Sequence, residues 1–176
     1  MVWLYNFPLA PSVNDSLMPI AGKLKFNKFG KPYRQGHLVK TKHHKQYQEV
    51  CLFWANRNRE SIEKIKTYIT MMKNHSEKQK QRFALKIECF HAFEESRLFT
   101  VNNKNEQLDA DNRLKPTMDA ITKILGIDDK IYFHASSEKV TTHSKESECA
   151  MIRISLMKPR TLQDIMDLMH KGQKGT

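Results

Sequence analysis

The residues best suited to chemistry lie in one stretch, Leu108 to Lys130, which reads LDADNRLKPTMDAITKILGIDDK. It carries three groups of carboxylates: Asp109 with Asp111, Asp119 further along, and Asp128 with Asp129 at the far end. Asp109 and Asp111 are two apart, so in an extended segment both side chains leave the same face. Carboxylates that close oppose each other's ionisation unless a cation stands between them, and a hard divalent ion with oxygen ligands suits the pair. Asp111, Lys115 and Asp119 follow at steps of four, one face of a helix, which sets a lysine beside the acids. Phosphodiester hydrolysis asks for such a set: a water made nucleophilic near neutral pH, positive charge on the phosphate, and stabilisation of the leaving 3′ oxygen. Each piece also has a plainer role. Asp111 can be a helix N-cap, the 111–115–119 ladder can be ordinary ion pairs worth about 0.3–0.5 kcal/mol each, and Asp128-Asp129 can be a turn before a strand. Joined in order behind a basic segment, the pieces favour the hydrolytic reading.

The pattern D-x-D-N-x-x-K-x-x-x-D, followed by a helix, a glycine and an Asp-Asp pair, resembles the RusA family of Holliday-junction resolvases, which are phage and prophage endonucleases. Asp109, Asp111, Asn112, Lys115, Asp119, Asp128 and Asp129 fall on that pattern. Val2 to Phe7 and then Pro11-Ser12-Val13-Asn14 look like the family's opening strand and turn. The resemblance implies an α/β (α+β) fold, a mixed sheet with flanking helices. Residues 1–176 would form a single domain, with a strand and basic arm over 1–40 and a C-terminal helix and tail over 158–176. It implies cleavage of branched DNA in recombination and repair by a homodimer whose two sites nick opposing strands, and it makes Asp109, Asp111, Lys115 and Asp129 the essential site. Mg²⁺, with Mn²⁺ as a substitute, is the cofactor expected. Asp109, Asp111 and Asp129 are its candidate ligands, with Asp128 as an alternative or outer partner. Lys115 would place a fixed positive charge on the pentavalent phosphorane or help to orient the water. Asn112 and Asp119 read as positioning residues, a cap and an ion-pair partner for Lys115 or Lys123. One departure stands out: the run from Glu94 to Gln107 is longer than the family's basic loop before D-x-D.

The composition agrees with a polyanionic partner. The chain has 176 residues, a formal net charge of +11 and a pI near 9.6, a balance that attracts nucleic acid. No acidic residue occurs between Asp15 and Glu49, whereas Lys23, Lys25, Lys28, Lys31, Arg34, Lys40, Lys42 and Lys45 do. Phe26, Phe29 and Tyr33 interleave with these charges. Such a segment can follow a phosphate backbone and stack on unpaired bases, or it can be a solvated loop whose aromatics tuck onto the core. No apolar run approaches a membrane span, and no secretory or lipidation motif is visible. Cys51, Cys89 and Cys149 are scattered and odd in number, which fits buried thiols in a reducing cytoplasm better than a zinc site or a disulfide frame. Two other classes of function remain open: a DNA-binding protein without catalysis, and a protein that binds or cleaves RNA.

The elements that must position the acids follow from periodicity. Val2 to Phe7 is a strand ending at Pro8, and the stretch to Gly36 reads as an arm or β-ribbon with irregular turns. From Thr41 a helical stripe of Tyr47, Val50, Cys51 and Trp54 continues through Ile62, Ile65, Ile69 and Met72, as one helix or two joined near Asn56 to Asn58. His43 and His44 read as basic surface. Phe83 to Phe93 alternates like a strand with one buried face, on which His91 is a satisfied core histidine. Leu98 to Val101 is strand-like, and Asn102 to Asn105 is a turn or loop. A helix from Asp111 to Leu125 is capped by Asp111 or Asn112, buries Met118, Ile121, Ile124 and Leu125, and stops at Gly126; Pro116 should distort its first turn. Asp128 and Asp129 open a strand, Lys130 to Thr142, which pairs as a hairpin with Cys149 to Met157 across a turn at His143 to Glu148. Thr161 and Asp164 cap a short terminal helix whose stripe, Leu162, Ile165, Met166 and Met169, suits core or a dimer contact.

Overall fold

The computed structural model describes residues 1–12, 15, 17–20, 24–26, 28, 29, 31–34, 37–99 and 110–166. The chain opens with β1 (Val2–Phe7) and continues through four short strands, β2 (Leu17–Ile20), β3 (Leu24–Phe26), β4 (Pro32–Arg34) and β5 (His37–Lys40). Two helices follow, α1 (Lys42–Arg57) and α2 (Arg59–Lys78), and then β6 (Leu85–Glu94). After a single turn, α3 (Glu95–Leu98), come α4 (Asp111–Leu125), a 3-10 turn (Asp129–Ile131), β7 (Tyr132–Thr142), a second 3-10 turn (Lys145–Ser147) and β8 (Cys149–Leu156).

The four long strands form one mixed sheet in the order β1-β8-β6-β7. The expected hairpin between the last two strands is not formed. β8 pairs antiparallel with β6, and β7 pairs parallel with the other edge of β6. Burial explains why. Of the ten residues of β6 only Lys86, Phe90 and Glu94 are partly exposed, so this is an interior strand that needs a neighbour on each side. A parallel partner cannot be reached by a tight turn; it requires a crossover, and α4 supplies it. Because β6 is interior, its alternation is also less one-sided than expected. Glu88 is buried on the face opposite Ile87 and Cys89, where Arg153 donates from Nε at 2.7 Å and from Nη2 at 2.5 Å, and Lys86 stands at 2.9 Å.

One face of the sheet carries the core. Leu4, Ile87, Cys89, Ile152 and Ile154 meet Tyr47, Cys51, Ile62, Ile65, Ile69, Ala120, Ile121 and Leu125 from the helices. Burying such side chains contributes about 1.5–3 kcal/mol each. The long helical stretch is two helices, broken at Asn58, whose Nδ2 donates to the Trp54 carbonyl at 2.8 Å. The stripe of α1 runs through His44, Tyr47, Cys51 and Trp54; Val50 is exposed, and His44, expected on the basic surface, is buried. His91 is in the core as expected but is not satisfied, since neither ring nitrogen has a partner among the described residues. Leu98 ends a helical turn and is not in a strand, and residues 100–109 lie outside the described residues, as do Val13 and Asn14.

The basic arm is two small antiparallel ribbons, β2 with β5 and β3 with β4. Thr41 closes the arm: its side-chain oxygen accepts from the His44 N–H, capping α1, and its hydroxyl donates to the Asp15 carbonyl at 2.6 Å. At the other end, residues 162–166 are helical behind a capping box in which Asp164 accepts from the Thr161 N–H and hydroxyl. Leu162, Ile165 and Met166 are exposed, so this stripe is not core, and Met169 lies outside the described residues. No helix is long and apolar enough to cross a membrane among the described residues.

Candidate active site

The site is built on α4 and the return of the chain from it. At the start of the helix the Ser137 hydroxyl of β7 donates to the Ala110 carbonyl at 2.6 Å, which ties the first turn to the sheet. Arg113 adds a second tie, donating from Nη1 to the Ala10 carbonyl while its guanidinium lies 5.0 Å from the Phe93 ring centroid. The N-cap is Ala110 and makes no side-chain cap bond, so neither Asp111 nor Asn112 caps the helix as expected. Asp111 is instead the first helical residue. It is exposed, and no hydrogen bond or ion pair engages its carboxylate among the described residues. Negative charge is favourable there against the helix dipole. Pro116 sits inside a helix that remains continuous, and Thr117 returns a hydroxyl bond to the Arg113 carbonyl at 2.8 Å.

The helix ends where expected. Gly126 has φ +67°, a left-handed conformation that costs a glycine nothing, and the Ile127 N–H closes on the Thr122 carbonyl at 3.1 Å. The closure turns the chain back along α4. Asp128 and Asp129 were expected to open a strand; they form a 3-10 turn that precedes it. Asp128 caps that turn through Oδ1, which accepts from the Lys130 N–H at 3.0 Å, and this bond holds its carboxyl below the usual range. Asp129 faces α4. Its Oδ2 lies 3.4 Å from the Lys115 ammonium, which also pairs with Asp119 Oδ1 at 2.8 Å.

Lys115 therefore stands between two carboxylates, one on its own helix and one returned by the turn. The hydrogen bond it donates to Asp119, and less strongly that to Asp129, raises its pKa, so it is fully protonated at neutral pH. Asp119 is the ion-pair partner of Lys115 and not of Lys123 among the described residues. His44 was not anticipated here. It is buried within electrostatic range of Asp119 and Lys40, its Nε2 is 3.0 Å from Gln48 Nε2, and burial lowers its pKa. The spacing 44–47–51–54 was the signal that could have placed it.

Asp109 lies outside the described residues, and no three His, Cys, Asp or Glu side chains converge closely enough to hold a metal among the described ones. The donors that are described suit a hard cation by type: an unengaged carboxylate at Asp111 and a half-exposed one at Asp129. Asp119 is neutralised by Lys115 and Asp128 by its own turn. On the arm Lys25, Lys28, Lys31, Lys40 and Lys42 are exposed, as is Phe29, with the Lys28 ammonium 5.1 Å from its ring centroid. Lys23 and the side chain of Arg34 lie outside the described part.

A mixed sheet with helices against it, acids and a lysine gathered on its crossover, and lysines along two ribbons describe an α+β protein equipped to work on phosphodiesters. A family model for endodeoxyribonuclease RusA matches residues 22–155, more than half of the chain and the elements just described from β3 to β8, leaving out β1, β2 and the terminal helix. The chain belongs to this family of Holliday-junction resolvases, endonucleases that act on branched DNA. No curated protein matches it.

Proposed function

We propose that the protein cuts four-way DNA junctions by hydrolysing phosphodiesters with a divalent ion, Mg²⁺ or Mn²⁺, held by Asp109, Asp111 and Asp129. The observation that carries this reading is the Lys115 ammonium held between Asp119 and Asp129 on the helix that begins with the unengaged Asp111. Such an ion supplies positive charge to the phosphate and lowers the pKa of a water at neutral pH. The chain's own residues do the rest. Asp111 offers oxygen lone pairs from a helix start pinned to β7 by Ser137. Asp129 fixes the Lys115 head, so the ammonium is already oriented before a phosphate arrives, and it stabilises the extra charge that develops on the phosphoryl oxygens. Asp128 serves the fold of the turn first, which makes Asp129 the better ligand of the pair. The exposed lysines of the arm carry the DNA backbone.

A junction has two strands to cut, and we infer that the protein works as a homodimer in recombination and repair. The three described cysteines are free, and burial pushes the thiols of Cys51 and Cys89 up to about 12, where they are inert; this suits a reducing compartment such as the cytoplasm. The test compares the wild type with Asp111→Asn on a synthetic four-way junction in Mg²⁺ and in Mn²⁺. Symmetric nicks by the wild type and none by the variant, which still binds, are the expected result. Equal cutting by both, or no cutting by the wild type in either metal, would overturn the reading.

A further inference from the structure

A cavity bordered by basic side chains lies at one end of the sheet. Ser76, near the end of α2, then Gln81 and Arg82 on the way into β6, and residues 156–161 as the chain leaves β8 wall a cavity of about 610 Å³. Arg82, Lys158 and Arg160 border it and are exposed. No carboxylate comes within ion-pair distance of any of the three among the described residues. Asp164 feels the charges of Lys158 and Arg160, and its Oδ2 accepts from the Thr161 N–H at 2.7 Å and hydroxyl at 2.8 Å; its one negative charge leaves the three cations in excess. Three cations around one concavity repel one another, and an anion seated between them removes that cost.

The register of the sheet relates this cavity to the acids. Leu85 of β6 pairs with Tyr132 of β7 on one side and with Leu156 of β8 on the other, so the three lie abreast. At ordinary strand spacing that row spans about 10 Å. Asp129 begins the 3-10 turn that leads into Tyr132, and Lys158 follows Leu156 by two residues. The cavity and Asp129 therefore share one end of the sheet, roughly 10–20 Å apart. Phosphates along one strand of a duplex advance by about 3.4 Å each, so the interval corresponds to about three to six of them.

We propose that this cavity holds a backbone phosphate of the junction arm flanking the cut bond, with the two guanidiniums and the Lys158 ammonium as donors. It rests on the nuclease reading above and adds a contact separate from the arm. Guanidiniums grip phosphate oxygens with paired N–H groups, which fixes the direction of the strand as well as adding affinity.

The test uses the full-length chain without divalent ion, so that binding is read alone. The triple variant Arg82→Gln, Lys158→Gln, Arg160→Gln is compared with a control of equal charge, Lys73→Gln, Lys139→Gln, Lys145→Gln, on a four-way junction between about 50 and 200 mM salt. The slope of log affinity against log salt should become shallower by about two to three in the cavity variant and by less than one in the control. The three single variants should each give about a third of that change. A junction with single uncharged methylphosphonate linkages walked along one arm identifies the phosphate. One linkage near the cut should weaken binding several-fold for the wild type and not at all for the cavity variant. Equal slopes for the two triple variants, or one linkage profile shared by wild type and cavity variant, would overturn the proposal. Wild-type cleavage of the unmodified junction in Mg²⁺ is scored separately: a wild type that cuts, with a cavity variant that binds as the control does, removes the cavity and leaves the nuclease standing.

Discussion

Replacing Lys115 by Met keeps the aliphatic stem and removes only the charge, which separates what the ammonium does for the fold from what it does for the reaction. For the fold it does little. The Lys115 side chain is 57% exposed, Asp119 26% and Asp129 47%, and the two contacts are 2.8 and 3.4 Å. Pairs so exposed are worth about 0.2–1 kcal/mol each. Loss of both therefore lowers stability by about 1 kcal/mol, a fall in Tm of about 2–4 °C for a chain of this length. For the reaction the expected loss is larger, about 10²–10³-fold in the cutting rate, the usual cost of removing one oriented donor from a developing oxyanion. The variant also frees an Asp129 oxygen that Lys115 otherwise holds, so the concentration of Mg²⁺ giving half-maximal rate should stay level or fall. Rates are read in single-turnover cleavage of a labelled junction at several Mg²⁺ concentrations, beside thermal melts. A rate within threefold of wild type would refute the role given to Lys115. So would a rate restored by high Mg²⁺, because Lys115 would then serve only to position the ligands.

The acids of the turn should separate in the same assay: Asp129→Asn abolishes cutting, whereas Asp128→Ala, which loses the 3.0 Å bond to the Lys130 N–H, lowers the melting temperature slightly and costs less than about tenfold in rate. Glu88, held at about 2 by its hydrogen bonds from Arg153 and then by Lys86, has a depressed folded-state pKa, so its contribution is complete above its ordinary 4.5 and is lost as pH falls through about 2. Glu88→Gln should be about 2 kcal/mol less stable at pH 7 in urea melts, with a gap that closes over that acid window; a gap unchanged down to pH 2 would refute this. His91 acts higher. Burial first, and then the Arg113 charge, lower it from 6.5 to about 4, so wild-type stability falls as pH drops from 6.5 through 4, and His91→Leu should match or exceed wild type increasingly across that window. Gly126→Ala meets no atom within 4 Å but must keep φ +67°, a backbone cost of about 1–2 kcal/mol seen as a lower Tm.

What could be read from the chain was whatever local spacing encodes. The break of the long helix at Asn58, the left-handed stop at Gly126 and the Thr161–Asp164 capping box all follow from residues a few positions apart. The partnership of β6 was not local. Lys130 to Thr142 and Cys149 to Met157 are separated by a turn-like segment, and a hairpin is the nearest arrangement; only the burial of β6 on both sides, a property of the assembled sheet, makes the parallel partner preferable. The burial of His44 is hidden in the sequence for a similar reason. Its neighbours Lys42, His43 and Lys45 are polar, and they outweighed its place on the stripe with Tyr47 and Cys51. In the site, the steps of four joined Lys115 to Asp119, but the approach of Asp129 depends on the chain reversing after Gly126, which spacing along the sequence does not measure. Asp109 lies outside the described residues, so its place beside Asp111 rests on sequence spacing and on the family pattern.

The distribution of charge gives this geometry its logic. A chain of net charge +11 whose arm has no acid between Asp15 and Glu49 draws a polyanion to its whole surface, and bare carboxylates at the point of contact would repel it. The crossover gathers Asp119 and Asp129 around one lysine, so these two acids share its positive charge and only Asp111 faces solvent without a partner among the described residues. Counted with Asp109, the acids outweigh the one lysine before any metal binds, and a divalent ion held by Asp111 with Asp109 and Asp129 would remove most of that excess and present its own positive charge to a phosphodiester. On this account the ion is needed to hold the scissile phosphate, beyond any part it takes in cleavage. Junction bound by Asp111→Asn should then resist salt no better with Mg²⁺ than without it, whereas the wild type, tested with uncleavable linkages, should gain.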